Sequence, residues 1–362
     1  MKPGRTERSL PLLGDDAGGK FFSSFGLVDA MDLLSLYRTM ARIRAFELVA
    51  EKMSIGGVAA LGQQVDPRAK VRGPLHVSIG QEAIATGVCA HLRLDDLLTS
   101  SHRGHGHTLA KGADMRRMMA ELFGRRDGTN GGKGGSMHIA DFSVGMLGAN
   151  GVVAAGLPIA CGAAHALKLQ GKPDIVACFF GDGAANRGPF LEALNWACVY
   201  ELPVLFVCED NRWSATTRTG PLTGGPGIAA RATAIGVPAS TVDGNDVEAV
   251  SAMAQRLTEE VRASQGPRFL HATTLRVRGH LSADNQGYRD PRDIEAAVAA
   301  DPLALARRRL IERDRLNQPI ETIDTEVAAE VAAAIAFAEA SPAPDAATAY
   351  QDVQTLGAGT WR

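Results

Sequence analysis

The 362-residue sequence is short of the features that mark several large protein classes. Its 38 basic and 40 acidic side chains give a formal net charge of −2, which is no reason to expect nucleic acid or an anionic membrane as a partner. Five cysteines, an odd number, stand among apolar neighbours without a CxxC pair. This usage argues against a disulfide framework and a structural zinc site, and it predicts buried free thiols in a reducing, cytoplasmic compartment.

Targeting and membrane-spanning segments are also missing. Residues 1–20 mix charges with Gly and Pro and hold no apolar core, which excludes a secretory signal, and their acids argue against a mitochondrial presequence. We interpret residues 1–27 as a flexible N-terminal arm. Residues 142–164 carry no charge over a length that could cross a bilayer, but five glycines, from Gly145 to Gly162, would make a poor lipid-facing helix. We predict instead a buried segment that packs tightly or lies close to a ligand.

The clearest pattern is a strand–helix–strand unit in the middle of the chain. Residues 175–180 and 204–208 are uninterrupted apolar runs, as in strands covered on both faces, and residues 190–198 between them follow helical spacing. Such a unit joins two parallel strands by a right-handed crossover. A further unit is predicted from strand 241–242, helix 247–263 and strand 269–277.

Helices are predicted elsewhere from composition and spacing, and glycine-rich stretches are predicted as loops. The alternation of strands and helices predicts an α/β fold with a parallel sheet and helices on both faces. We divide the chain into a main domain at residues 28–300 and a helical C-terminal extension at residues 301–362. The predicted helices are 32–51, 81–92, 114–123 and 301–340, and the predicted loops are 55–74 and 125–135.

The segment that carries chemistry lies at the ends of the two central strands. Gly181-Asp182-Gly183-Ala184 follows the first strand, and Asn211 follows the second. Because ligands of open parallel sheets sit beyond the carboxyl ends of the strands, Asp182 and Asn211 should lie close together. Their oxygens suit Mg²⁺, and the glycines let the backbone approach a diphosphate. A GDG tripeptide alone is more often a tight turn, but GDG followed by a helix, a buried strand and Asn is far more specific.

This arrangement resembles the thiamin-diphosphate signature, and other motifs of the chain resemble the α subunits of pyruvate, branched-chain 2-oxo-acid and acetoin dehydrogenases. The resemblance runs from about Leu33 to the C-terminal helices, and the RGHGH form is most similar to the acetoin enzymes. The motifs are HVSIGQE at 76–82, SHRGHGH at 101–107, GKGGSMH at 132–138, NGVV at 150–153, and RVRGH at 276–280 followed by Asp284, Tyr288 and Arg289.

The resemblance implies thiamin diphosphate and Mg²⁺ as cofactors and assigns residues to each. His76 and His280 are the implied catalytic histidines, since imidazole handles protons and hydrogen bonds near neutral pH. The implied Mg²⁺ ligands are Asp182, Asn211 and the main-chain carbonyl of Trp213. The implied cofactor-binding residues are His102, Arg103, Gly151, Val153, Gly181, Asp182, Gly183, Ala184, Asn211, Trp213 and His280.

Simpler interpretations exist for several of these residues. Arg103 taken alone is a surface arginine, His76 and His280 are hydrogen-bonded structural histidines, and Val153 either supports the bent cofactor or packs in the core. The spacing of His102, His105 and His107 suggests a metal site, but Arg103 would oppose a cation and no Cys or acid completes the set. A nucleotide P-loop at Lys133 is excluded, because Gly134 follows the lysine.

The sequence departs from the family at four positions. Asp210 and Trp213 stand where Asn and Tyr are usual, and His271 replaces an acid. Leu281 takes the place of the regulatory serine that animal relatives carry after the loop histidine, which excludes phosphorylation at that position.

The implied function is that of an α subunit that decarboxylates a 2-oxo acid (pyruvate or branched-chain) or cleaves acetoin and passes the acyl group to a lipoyl acyltransferase. In this family a separate β subunit supplies the glutamate that activates the cofactor. A chain of this length has no room for a full β module, so we expect it to be inactive alone and to work as an α₂β₂ assembly. Two alternatives are a non-catalytic assembly or regulatory paralogue and a nicotinamide-binding dehydrogenase. The second lacks the GxGxxG it would need after the first strand.

Overall fold

The computed structural model describes residues 30–58, 64–313 and 315–351, and it has one central sheet of parallel strands. The predicted arm at 1–27 lies outside the described residues, as do residues 352–362 of the predicted extension. The strands of the sheet are β1 (Leu97–Ser101), β2 (Met146–Asn150), β3 (Val176–Gly181), β4 (Val204–Asp210), β7 (Ala239–Asp243) and β8 (Arg268–Thr273), and a separate antiparallel ribbon consists of β5 (Trp213–Ser214) and β6 (Thr217–Arg218).

The strand order across the sheet is β2-β1-β3-β4-β8-β7, and every neighbouring pair is parallel. From β1 the chain moves to one side to form β2, and it then returns to the other side to form β3. The order therefore reverses between β1 and β3. In open α/β sheets a ligand crevice forms at this kind of reversal, beyond the carboxyl ends of the strands.

Helices cover both faces of the sheet, which confirms the predicted fold class. One face is packed by α5, α6 and α7, and the other by α2 and α8. The helices are α1 (Ala30–Met53), α2 (Glu82–Cys89), α3 (Gly104–Ala110), α4 (Met115–Leu122), α5 (Gly156–Leu169), α6 (Gly188–Val199), α7 (Ile228–Ile235), α8 (Val247–Arg262), α9 (Pro291–Ala299), α10 (Pro302–Glu312) and α11 (Asn317–Ala340).

Strand β3 shows why the central apolar runs are uninterrupted. Successive side chains of a strand point to opposite faces of the sheet. Val176, Cys178 and Phe180 join the core with α5 and α6, while Ala177 and Phe179 join the core with α2 and α8. Both sets are buried, so a polar residue at any of these positions would lose its hydration without a partner.

Two predicted elements differ from the structure. The strand predicted at 269–277 ends at Thr273, because the chain then leaves β4: the Thr274 hydroxyl donates to Asn245 at 2.6 Å and the Val277 amide donates to the Ile79 carbonyl at 3.4 Å. The helix predicted at 301–340 is two helices, α10 and α11. The amide of Leu316 turns back to the Leu310 carbonyl at 3.0 Å and separates them.

The segment predicted as buried at residues 142–164 is only partly so. It contains β2 and the start of α5, but the chain between them is open to solvent, with Val152 66% and Val153 47% exposed. None of the described helices has both the length and the apolar character needed to cross a membrane.

The C-terminal helices pack against the N-terminal helix. Arg42 of α1 forms a bidentate pair with Glu330 of α11 at 2.8 and 2.7 Å, and the hydroxyl of Tyr37 donates to Asp324 at 2.9 Å. Apolar side chains of α1, α10 and α11 share one core cluster. The domain boundary at residue 300 stays a prediction.

Helices α5 and α6 carry exposed large apolar side chains that we call the α5–α6 apolar face. The indole nitrogen of Trp196 donates to His165 at 3.3 Å, and the rings of His165 and Tyr200 lie 4.9 Å apart, which ties the two helices together on their solvent side. The apolar face consists of Ile159, Leu169, Leu191, Trp196, Val199 and Tyr200, each at least 41% exposed.

Candidate active site

All residues that the sequence assigned to the site line one cavity at the carboxyl edge of the sheet. The ends of four adjacent strands carry most of them: Gly151 follows β2, His102 and Arg103 follow β1, Asp182 follows β3, and Asn211 follows β4. His76 and His280 come from the loops before α2 and after β8. The cavity therefore lies at the reversal of strand order between β1 and β3. The predicted residues lining it are His76, His102, Arg103, Gly151, Val153, Gly181, Asp182, Gly183, Ala184, Asn211, Trp213 and His280.

Asp182 and Asn211 form the oxygen-rich side of this cavity. Both are buried, and Asp182 accepts a hydrogen bond from the Thr219 hydroxyl. The side-chain nitrogen of Asn211 donates to Gln81 at 2.9 Å, and its side-chain oxygen accepts from the Trp213 amide at 3.1 Å. These two bonds fix the amide group with its oxygen on the cavity side. Burial raises the pKa of Asp182 to about 6 against the Thr219 hydrogen bond, and the negative charge of Asp210 raises it further. A cation would relieve this cost.

Three histidines form the opposite side. The ring centroid of His76 lies 4.6 Å from that of His102 and 4.8 Å from that of His280, and the centroids of His102 and His280 are 5.5 Å apart. Burial, and after it the positive charge of Arg103, lowers the pKa of His76 to about 3, of His102 to about 2 and of His280 to about 4. All three rings are therefore neutral at pH 7 and able to donate one hydrogen bond and accept another.

The spacing of these histidines would allow a metal ion, since their ligand atoms lie within 4.8 Å of one another. Two guanidiniums decide against it. Arg103 and Arg276 are buried beside the histidines, with Arg103 Nη2 3.4 Å from the Nδ1 atom of His280. A divalent cation about 5 Å from one guanidinium is opposed by roughly 7 kcal/mol at an effective dielectric constant near 20. This side of the cavity suits an anion.

Arg103 is itself held by the loops around the cavity. It donates to the carbonyl of Val77 at 2.5 Å and to the carbonyl of His280 at 2.9 Å. Its burial, together with the charge of Arg276, lowers its pKa to about 9, so it remains charged at neutral pH. The surface-arginine interpretation is therefore wrong. Arg103 joins the 76–82 motif to the 276–280 motif and supplies positive charge at their junction.

Unpaired buried donors give a direct test of whether a phosphorylated cofactor fits. Within the described residues, Gln81 Nε2, His102 Nε2 and Arg276 Nε are buried without a hydrogen-bond partner, and His76 Nδ1 is in the same state. Each such group leaves about 1–3 kcal/mol of desolvation uncompensated. A diphosphate brings several acceptor oxygens, and Mg²⁺ matches the Asp182 and Asn211 oxygens, so the residues present fit both groups.

The three histidines of the SHRGHGH motif, His102, His105 and His107, are separated in the structure. The ring of His105 bridges Glu47 at 2.8 Å and Ser136 at 2.9 Å, and the ring of His107 bridges Ser100 at 2.8 Å and Glu209 at 3.1 Å. Both ring nitrogens of His105 and of His107 are therefore engaged by protein partners. His105 and His107 support the cavity wall, and only His102 faces the cavity.

The structure also contradicts one of the two interpretations of Val153. It lines the cavity and is 47% exposed, so the alternative of simple core packing is wrong. Gly151 and Val152 lie beside it at the same rim of the cavity.

Some residues of the site had no role assigned from the sequence. Gln81 anchors Asn211, and Arg276 donates to the carbonyl of Ala215 at 3.2 Å and to the hydroxyl of Tyr288 at 2.7 Å. Met137 lines the cavity from the GKGGSMH motif. Gln81, Arg276 and Met137 all lie inside motifs that the sequence singled out, so the signal was present. The contact between Gln81 and Asn211, which are 130 positions apart, could not be predicted from the sequence.

The fold and the cavity together define an α/β protein with a ligand cavity of mixed charge at the carboxyl edge of a parallel sheet. Comparison with known proteins identifies the family. Residues 59–347 match the family model described as "Dehydrogenase E1 component". The chain belongs to this family of thiamin-diphosphate-dependent oxidoreductases, as an α subunit.

Characterised relatives fall into two groups by substrate name. The chain is 40% identical to the α subunit of acetoin:2,6-dichlorophenolindophenol oxidoreductase of Bacillus subtilis, over 88% of this chain and 92% of the relative. It is also 40% identical to the protein of that name from Cupriavidus necator, over 90% and 95%. It is 34% identical to the α subunit of the pyruvate dehydrogenase E1 component of Rhizobium meliloti, over 96% of each chain.

Proposed function

We propose that this chain binds thiamin diphosphate with Mg²⁺ and, as the α subunit of an E1 dehydrogenase, cleaves acetoin or decarboxylates a 2-oxo acid. The observation that carries the proposal is the convergence of six separate sequence motifs on one cavity whose two sides have opposite charge preference. Acetoin is the favoured substrate. The RGHGH motif and the two relatives at 40% identity support it, while pyruvate and branched-chain 2-oxo acids are outcomes of the substrate test.

We assign the residues as follows within this proposal. Asp182, Asn211 and the carbonyl of Trp213 would hold Mg²⁺, and His102, Arg103, His280 and residues 181–184 would hold the diphosphate. Gly151 and Val153 would contact the ring system. When bound, thiamin diphosphate supplies carbanion chemistry at the substrate carbonyl.

The two assigned catalytic histidines work as neutral hydrogen-bonding groups. His76 lies at the buried side of the cavity, and His280 is fixed by its own amide, which donates to Asp284 at 2.5 Å. A neutral imidazole would stabilise a developing oxyanion by donating a hydrogen bond to it. The nearby guanidiniums favour that negative charge and disfavour a charged imidazolium.

Partners follow from the same proposal. The α5–α6 apolar face exposes six large apolar side chains on two helices that pack against each other, which supports a subunit interface. We propose that it is buried in an α₂β₂ heterotetramer with a β subunit, and that the assembly passes acyl groups to a lipoyl acyltransferase core. All five cysteines are free and four are buried, which agrees with the proposed cytoplasmic location.

Calorimetry and turnover by the co-expressed αβ assembly test the proposal. Thiamin diphosphate should bind only with Mg²⁺ present, and acetoin should reduce 2,6-dichlorophenolindophenol faster than pyruvate or branched-chain 2-oxo acids do. Absence of cofactor binding would favour the non-catalytic paralogue. Thiamin-dependent oxidation by the purified α chain alone would refute the need for a β subunit.

A further inference from the structure

Two positions at which the sequence departs from its family contact each other. His271 Nε2 lies 2.8 Å from Asp210 Oδ2, between the end of β4 and the neighbouring strand β8. The side chains are 15% and 18% exposed, so the contact is largely shielded from solvent. The register pairs Cys208 with His271 and Asp210 with Thr273, which makes Asp210 and His271 diagonal neighbours on one face of the sheet.

Every oxygen of Asp210 is engaged by a protein donor. Besides the His271 contact, Oδ1 accepts from the Arg212 amide at 3.0 Å, and the main-chain carbonyl accepts from the Thr274 amide at 2.8 Å. Because side chains alternate along a strand, Asp210 points away from the side that Glu209 and Asn211 present to the cavity. Glu209 and Asn211 are among the described residues lining the cavity, and Asp210 is not.

The consequence reaches the oxygen-rich side of the cavity. Asp210 immediately precedes Asn211, and β3 and β4 pair Gly181 with Glu209, so Asp210 stands beside Asp182 on the next strand. The carboxyl groups of Asp210 and Asp182 already interact across the two strands. Without the hydrogen bond to His271, the Asp210 carboxylate would be free to shift against Asp182 and to displace the end of β4. Asn211 and Trp213 would then move with it.

We propose that the Asp210–His271 pair is a positioning pair for the Mg²⁺ site, which restrains the end of β4 so that Asn211 and Trp213 keep their cavity-facing arrangement. The inference rests on the proposed function, because it takes Asp182, Asn211 and Trp213 as the Mg²⁺ ligands. Hydrogen-bonded partners behind metal ligands typically change metal affinity by about 10–100-fold when they are removed.

Calorimetric titration of Mg²⁺ into the co-expressed αβ assembly at saturating thiamin diphosphate tests the pair. H271L removes the donor and should weaken Mg²⁺ binding by about 10–100-fold. H271Q keeps a donor and should stay much closer to the wild-type affinity. H271E opposes two carboxylates and should also weaken binding, whereas D210N/H271E restores a hydrogen bond with reversed polarity and should recover most of the affinity. R256Q, which breaks an exposed pair with Glu260 on α8, is the control and should have no effect.

A split in the kinetic constants distinguishes positioning from chemistry. In H271L the Mg²⁺ concentration for half-maximal rate should rise, while kcat at saturating Mg²⁺ stays near the wild-type value. Equal Mg²⁺ affinity for H271L and R256Q would overturn the inference. So would a double variant as impaired as H271E alone, a comparison that holds even if H271L fails to fold. If the wild-type assembly binds neither Mg²⁺ nor thiamin diphosphate, the proposed function itself is refuted.

Discussion

A buried glutamate organises the glycine-rich loop at residues 130–135. Glu121 of α4 is completely buried and accepts four main-chain hydrogen bonds. Its Oε2 atom receives the amides of Asn130 at 2.7 Å and Gly132 at 2.9 Å, and its Oε1 atom receives those of Gly134 at 2.8 Å and Gly135 at 3.1 Å. The loop leads directly to Ser136 and Met137, so this carboxylate fixes the chain as it enters the cavity wall.

Replacing Glu121 with Gln changes one acceptor into a donor. The remaining oxygen still accepts two amides, but the new side-chain nitrogen faces the other two and leaves them buried without a partner. Hydrogen bonds to a charged group contribute about 1.5–3 kcal/mol each, so the loss of two should reduce the free energy of unfolding by about 3–6 kcal/mol. Ala at this position would remove all four bonds and leave a cavity, and its effect should be larger.

Differential scanning calorimetry of the assembly measures the effect. For chains of 150–250 residues, a change of 1 kcal/mol in the free energy of unfolding shifts Tm by about 2–4 °C, and this shift per kcal/mol becomes smaller in larger chains. E121Q should therefore lower Tm by roughly 5 °C or more. E339Q is the matched control, because Glu339 is an exposed carboxylate 3.7 Å from Lys70 and should contribute under about 1 kcal/mol. If E121Q and E339Q unfold at the same temperature, the proposed role of the carboxylate is refuted.

Three further outcomes are expected. The pKa of His76 is lowered to about 3 in the folded chain, so between pH 3 and about 6.5 the unfolded chain binds a proton that the folded chain does not. The free energy of unfolding therefore falls as pH drops through this range, and His76 accounts for a loss of about 2 kcal/mol at pH 5. Urea unfolding of H76Q at pH 7 and pH 5 should therefore show a smaller drop than wild type, and equal drops would contradict the assignment. D182N should abolish Mg²⁺-dependent binding of thiamin diphosphate in calorimetry with little loss of Tm, since burial already disfavours the charged carboxyl; unchanged binding would exclude Asp182 as a ligand. W196E should weaken assembly with the β subunit by about 30-fold or more in sedimentation experiments, as loss of a central aromatic anchor does, whereas K172A should not; equal association would place the interface elsewhere.

The parts of the fold that could be predicted are those whose pattern is local. The apolar runs of β3 and β4 and the helical spacing of α8 reflect burial on fixed faces, and the structure confirms these elements within two residues. The resemblance added the order of the motifs, and the cavity brings them together as expected. Both predictions depend on patterns that lie within a short stretch of sequence.

Strands β1 and β2 were missed because their burial depends on distant partners. Leu97–Ser101 holds two serines and a threonine, and Met146–Asn150 contains a glycine, so neither is an apolar run. Each becomes a strand because parallel pairing with a neighbour satisfies its main chain. Helix α3, Gly104–Ala110, was not predicted either, because glycine usually indicates a loop. Here Gly104 allows close packing: a Cβ on it would lie 2.7 Å from that of Ala149.

The glycine-rich loop shows how a sequence signal can be right and still incomplete. Residues 125–135 were predicted as a loop, and the structure agrees. Gly132 has φ 77°, and a Cβ there would come within 2.7 Å of the Arg125 main chain, which explains why the motif needs glycine. The carboxylate that the loop folds around comes from α4, and nothing in the loop sequence identifies Glu121 as its partner.

The charge pattern of the cavity narrows the ligand more than any single motif does. One side holds two buried guanidiniums and three neutral imidazoles, and the other holds the Asp182 carboxylate and the Asn211 amide. A simple anion would satisfy the first side and be repelled by Asp182, while a simple cation would satisfy the second and be opposed by Arg103 and Arg276. A diphosphate carrying a divalent cation satisfies both sides at once, because its oxygens meet the donors and its metal meets the carboxylate. It follows that Mg²⁺ and the diphosphate should bind cooperatively, each raising the affinity for the other by the same factor.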